Sequence, residues 1–160
     1  MTPTQCKIAF EQNLTESIHH ALDLNSVLDN ERMALEQKNT TALNDVAVSK
    51  KLCVTKLEEL DKIRRKIGKE CGFSEDDEGP AKLISWCDQH DEIATLWSKF
   101  LGIAESCSNV NAANGAIIRV RQGQVNNALL ILRDGTADVN TYGPTGRNGG
   151  ELKTRSLAEA

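Results

Sequence analysis

Apolar residues recur at helical spacing from the start of the chain. Leu14, Ala21, Leu28 and Leu35 form a column seven residues apart, and Ile18 and Leu22 widen it into a stripe. No Gly, and no Pro after Pro3, interrupts the stretch to Gln37, which predicts a first helix over about 5–37. KNTT at 38–41 then breaks the pattern. Asn39 suits a left-handed position closing that helix, and Thr40 or Thr41 can cap the next one. Val46, Cys53, Leu60 and Ile67 restart the seven-residue spacing, with Leu43 and Leu57 beside them. They predict a second helix over about 41–67, ended by Gly68 and Gly72. So short a turn makes the two helices antiparallel neighbours.

Residues 70–79 set two glycines around an acidic run too charged to bury, and read as a loop. Pro80 suits the first turn of a short helix that carries Leu83, Ile84 and Trp86 over about 80–90. Asp91 can cap a new helix, or the short one can bend and continue; the pattern leaves both open. Over about 91–133 the heptads are clearest. Leu96, Ile103, Val110, Ile117 and Ile131 hold one column; Trp97, Ala104, Ile118, Val125 and Leu132 hold the adjacent one, with Asn111 as its polar member. Ile93, Phe100 and Cys107 supply a companion column that turns polar at Asn114 and Arg121. Heptads sustained over roughly 60 Å of helix imply coiled-coil packing. Gly102, Gly115 and Gly123 each cost up to about 1 kcal/mol relative to Ala, which marks the distal part for a kink or fraying.

After Arg133 the composition changes. Residues 134–160 hold five Gly, one Pro and few large apolar side chains, and read as a mobile tail carrying one aromatic, Tyr142. The expected fold is all-α: an elongated antiparallel bundle of three long helices over residues 1–133, with the short helix near the open end of the first hairpin. The flexible C-terminal tail completes it.

Composition narrows the class further. Aromatics are only 4% of the 160 residues, which disfavours a β-sandwich or barrel. A net charge of −4 argues against a general nucleic-acid or anionic-membrane binder. No apolar run approaches the ~20 residues that span a bilayer, and the N-terminus lacks the basic-then-apolar order of a secretion signal. Five cysteines, at 6, 53, 71, 87 and 107, show no tight pairing. That odd count is ordinary in a reducing compartment, so the expected location is the cytoplasm.

Candidate chemistry is sparse. Glu16-x-x-His19 has the spacing used in di-iron bundles, but the second motif such a site needs is missing. Cys87-x-x-His90 is at most half of a zinc site, and the other cysteines are scattered singly. GPTGRNGG at 143–150 lacks the Lys-Ser/Thr of a phosphate loop and follows no strand. No nucleophile lies beside a base, so no enzymatic activity and no cofactor are expected. Lys62, Arg64, Arg65, Lys66 and Lys69 read as a solvated helix end that complements the helix dipole. What stands out is a surplus. Ile117, Ile118, Val125, Leu129, Leu130, Ile131 and Leu132 are more apolar residues than one coiled-coil seam consumes. They suit a helix-binding surface, unless the tail or another subunit covers them.

Together these residues resemble a known family. Glu31-x-x-Ala34-Leu35 and a short polar turn lead to Leu43, Val46, Lys50, Cys53-Val54, Leu57, Leu60, Arg64 and Ile67. Then come Leu96-Trp97, Asn111, Asn114-Gly115 with Ile117-Ile118, Ala128-Leu129 and Tyr142-Gly143. The order is similar to FlgN, the flagellar type III export chaperone of the hook–filament junction proteins, over about residues 14–146. Cys53 stands where that family usually has a larger aliphatic, and the acidic 75–78 loop is peculiar to this chain. The resemblance implies a non-enzymatic cytoplasmic chaperone whose clients are FlgK and FlgL, and which docks on the export-gate component FlhA. Client binding is then expected at Asn114, Ile117, Ile118, Val125, Leu129 and Leu132 on the apolar third helix, and the resemblance implies gate contact by Tyr142. The competing reading is a coiled-coil or adaptor protein that associates only with itself.

Overall fold

The computed structural model describes residues 1–74, 76 and 78–139. Four helices follow in order: α1 Pro3–Glu36, α2 Thr40–Glu70, α3 Gly79–Cys87 and α4 Glu92–Val139. No strand occurs among the described residues. The chain divides into two units, Met1–Arg119 and a second beginning at Val120.

Each boundary has a local cause. Thr2 opens α1 with a capping box: its hydroxyl accepts from the Gln5 N–H, and the Gln5 side chain accepts from the Thr2 N–H. At the α1–α2 turn the expected roles shift by one residue. Lys38, not Asn39, takes the left-handed conformation at φ 55°. The Asn39 N–H then donates to Ala34 O and that of Lys38 to Leu35 O, closing a Schellman turn. That frees the Asn39 side chain to cap α2 by accepting from the Ala42 N–H at 3.0 Å. Gly68 does not end α2, which continues to Glu70. Gly72, at φ 86°, closes a second Schellman turn in which the N–H of Phe73 reaches Gly68 O.

The α3–α4 junction resolves the choice left open. α3 stops at Cys87, short of residue 90, and α4 is a separate helix. Asp88 rather than Asp91 caps it: its carboxylate accepts from the N–H groups of Glu92 and Ala94, while Asp91 is left-handed at φ 57°. α4 then runs unbroken through its glycines and past Arg133 to Val139, six residues beyond the expected end. Adding a residue to an existing helix is far easier than starting one, so Gly135 does not stop it.

Within the first unit α1 pairs antiparallel with α2, since the Asn13–Leu60 contact lies 47 residues apart and Glu31–Lys50 only 19. α4 pairs parallel to α1 at a constant offset: Lys7–Glu92 is 85 residues apart, and Ala21–Cys107 and Leu28–Asn114 are each 86. The column Leu14, Ala21, Leu28 and Leu35 is buried throughout; Leu22 is exposed. On α4 the core takes the companion column. Ile93, Cys107 and Asn114 are buried and Phe100 partly so, whereas Leu96, Ile103, Val110 and Ile117 are only partly covered. A cluster of buried apolar side chains gathers Cys6, Phe10 and Leu14 with Ile67, Leu83, Ile84, Cys87 and Ile93. This is the open end of the α1–α2 hairpin. α3, nine residues long, is too short to persist alone and is held there by its buried Leu83, Ile84 and Cys87.

Candidate binding surface

In the second unit the apolar surplus lies in the open. Every residue of α4 from Gln122 to Arg133 is exposed. Val125, Leu129 and Leu132 are 58%, 58% and 65% exposed, and Leu130 and Ile131 join them. Large exposed apolar side chains clustered this way make this stretch the candidate binding surface. Ile117 and Ile118, in the first unit, are half-buried. Tyr142 lies outside the described residues.

Asn114 occupies a different place from the other candidates. It is fully buried, and its side-chain amide donates to Leu28 O at 2.8 Å and to the Glu31 carboxylate at 2.9 Å. The same carboxylate accepts from Lys50 Nζ at 3.0 Å, and Arg32 Nε donates to Asn114 Oδ1 at 3.4 Å. Glu31, Lys50 and Asn114 come from three helices. Their node is legible only in three dimensions, since nothing in the heptads links them. A buried polar group whose partners all come from specific positions fixes the register of the helices that supply them. Asn114 therefore holds the bundle and offers no side chain at the surface.

Other singled-out groups also find internal roles. Arg64, read as part of a solvated helix end, is buried: its guanidinium lies 5.3 Å from the Trp97 ring centroid and 5.2 Å from that of Phe100, and pairs with Asp61. Burial, the largest influence, pulls its pKa below the ordinary arginine value despite that carboxylate. Beside this stack a cavity of about 390 Å³ opens between Phe10, Arg64, Pro80, Leu83 and Leu101. A more apolar groove of about 290 Å³ lies between α1, α2 and α4, lined by Leu24, Val54, Leu57 and Ala104. Cys6, Cys71 and Cys87, apparently scattered in sequence, meet in the core. Burial, together with the neighbouring thiols, pushes Cys6 up to about 12, which makes it an inert packing group. Cys87 is buried while His90 is exposed, and His19 and His20 both turn to Asp23 at 3.6 and 3.7 Å. Among the described residues no group of three His, Cys, Asp or Glu side chains can hold a metal ion. None of the described helices is long and apolar enough to cross a membrane.

The described residues form an all-helical bundle with a buried polar node and an exposed apolar stretch of helix. The model of the family described as FlgN protein matches residues 8–150, and the chain belongs to that family. It is thus a flagellar export chaperone in the general sense. A crystal structure of a flagella synthesis protein FlgN from Pseudomonas aeruginosa is similar at 27% identity and a TM-score of 0.62, over 81% of this chain and 98% of that one. No curated protein sequence matches the chain significantly.

Proposed function

We propose that the protein is a cytoplasmic export chaperone that covers the C-terminal amphipathic helices of the junction proteins FlgK and FlgL and brings them to FlhA. The observation that carries this reading is the exposed apolar run of α4, with Val125, Leu129 and Leu132 as its proposed client contacts. An amphipathic client helix left uncovered in the cytoplasm would self-associate or be degraded, and an exposed apolar helix is a suitable cover for it. A client segment that folds on binding offsets part of its contact energy with ordering entropy, which keeps affinity modest and release possible. Ile117 and Ile118 contribute less because they are half-buried, and Asn114 acts by holding the bundle. Tyr142 is the proposed gate contact, since a tyrosine offers large apolar area with a hydroxyl handle.

Calorimetry with FlgK and FlgL tests the assignment. Replacing Leu129 and Leu132 together by Ala should weaken client binding by tens-fold or more, at ~1–3 kcal/mol per packed side chain. Tyr142→Ala should spare client affinity and weaken engagement of FlhA. Unchanged client affinity in the Leu129/Leu132 variant, with its helicity intact, moves the client site off this helix.

A further inference from the structure

The groove of about 290 Å³ in the first unit is a slot lined by three helices. Its deepest residues, Leu28 and Cys107, are buried, and its walls are Val54 and Leu57 on α2 and Ala104 and Ser108 on α4. Val54 is 38% exposed, while Leu57 and Ala104 are partly covered. Lys50 is the one charged side chain among the described lining residues, and the Glu31 carboxylate already pairs with it at 3.0 Å. The slot therefore offers apolar contact and no unmatched charge. Its α4 wall also belongs to a longer feature. Ala104 and Asn111 line the groove and stand in the heptad column that runs on through Ile118 to Val125 and Leu132. Column members drift by only about 20° per heptad around a straight helix, and α4 is one helix from Glu92 to Val139. The same column thus carries both the groove wall and the proposed client contacts.

We infer that this groove is a second part of the client site, where an amphipathic client helix with an uncharged apolar stripe packs as the fourth helix of a bundle. The inference rests on the client-binding reading above and adds to it a seat in the first unit, with the residues that line it. Three observations select this occupant. A slot with a helix on either side and a third beneath is where a bundle helix sits, and the small side chains of Ala104 and Ser108 permit the axis-to-axis approach of ~8–10 Å that such packing needs. The lining, with its one charge already matched, suits a stripe of aliphatic side chains, which is the buried face of an amphipathic helix. Column continuity supplies the third: a helix following Val125 and Leu132 back along α4 comes next to Ile118, Asn111 and Ala104. A second copy fits less well. The groove has room for only a few side chains, far short of the ~1,200 Å² that a stable interface buries. A client held at Val125 and Leu132 as well needs only part of its contact here.

The test uses the full chain with FlgK and FlgL as clients. Ser108 is exposed on the groove wall, so Ser108→Trp should close the slot without disturbing the core. Leu52→Trp, at an exposed α2 position outside the groove, is the control. Calorimetry should show client affinity about tenfold or more weaker for Ser108→Trp and unchanged for Leu52→Trp, with both thermal midpoints at the wild-type value. A second arm leaves the groove open and reads contact directly: a benzophenone amino acid at position 108 should crosslink to the C-terminal helix of the client, and one at position 52 should not. Wild-type client affinity in Ser108→Trp, or no client crosslink from position 108, overturns the inference. If that result comes with client binding that still collapses in the Leu129/Leu132 double alanine variant, the client-binding reading stands and only the groove is lost from it. If the double alanine variant also binds normally, both fail. A crosslink from position 108 to residues 140–160 of the same chain makes the tail the occupant, and one to a second copy, matched by a dimer in light scattering, makes the groove a self-association site. Either overturns the inference.

Discussion

Asn114→Ala is the substitution that best separates a structural role from a client contact. The wild-type amide donates to a neutral carbonyl, Leu28 O, and to a carboxylate, Glu31, and its oxygen accepts a longer 3.4 Å bond from Arg32 Nε. A neutral bond contributes about 0.5–1.5 kcal/mol net and a bond to a charge about 1.5–3 kcal/mol, so their joint loss should cost roughly 2–4 kcal/mol. For a chain of this length each kcal/mol moves the melting temperature by about 2–4 °C, so the midpoint should fall by roughly 5–15 °C. Asn114→Leu restores the volume but sets an apolar group against the Glu31 carboxylate, which then keeps Lys50 as its remaining side-chain partner among the described residues. It should be no more stable than the Ala variant. Asn111→Ala, exposed and one turn earlier on α4, is the control and should stay within about 0.5 kcal/mol of wild type. Thermal unfolding followed by circular dichroism, with client calorimetry below the transition, reads both roles at once. An Asn114→Ala protein with wild-type stability and weakened client binding would refute the node and return Asn114 to the contact surface.

Gly79→Ala should destabilise by about 1–3 kcal/mol or more, because a Cβ there would sit 2.0 Å from the backbone oxygen of Ser74, which cannot swing away as a side chain would; urea unfolding indistinguishable from wild type would contradict this. Asp88 governs part of the acid limb: burial alone would raise its carboxyl, but the N–H groups of Ala94, Ile93, Glu92 and His90 outweigh it and hold the pKa below the usual carboxylate range. A pKa lowered by folding contributes stability that is present above the unfolded value of about 4 and is lost as pH falls through the folded value. Asp88→Asn should therefore cost about 0.5–2 kcal/mol near neutrality and make urea stability less steep in acid, whereas an unchanged acid slope would remove Asp88 from that role.

The helices themselves follow from periodicity and punctuation, which act within a few residues. The unbroken apolar column of α1, the Gly72 turn after α2 and Pro80 at the start of α3 all carry their meaning in local sequence. The exposed apolar end of α4 was equally legible, because four consecutive large aliphatics cannot all face one seam. Turn roles were less so: whether Lys38 or Asn39 goes left-handed depends on which arrangement lets the Asn39 side chain reach the Ala42 N–H. Which column of α4 becomes the core could not be read locally at all. Leu96, Ile103, Val110 and Ile117 make the stronger apolar repeat, yet the buried positions are Ile93, Cys107 and Asn114, with Phe100 partly covered between them. The reason is the constant offset between α4 and α1, which presents Asn114 to Leu28 O and to the Glu31 carboxylate already paired with Lys50. An asparagine is a poor core residue until another helix supplies its partners, as α1 does for Asn114, and Arg64 is likewise buried only where α4 sets Trp97 and Phe100 against it. Apolar burial is decided by the residue and its period. Polar burial is decided by partners distant in sequence, and only the tertiary structure brings those together.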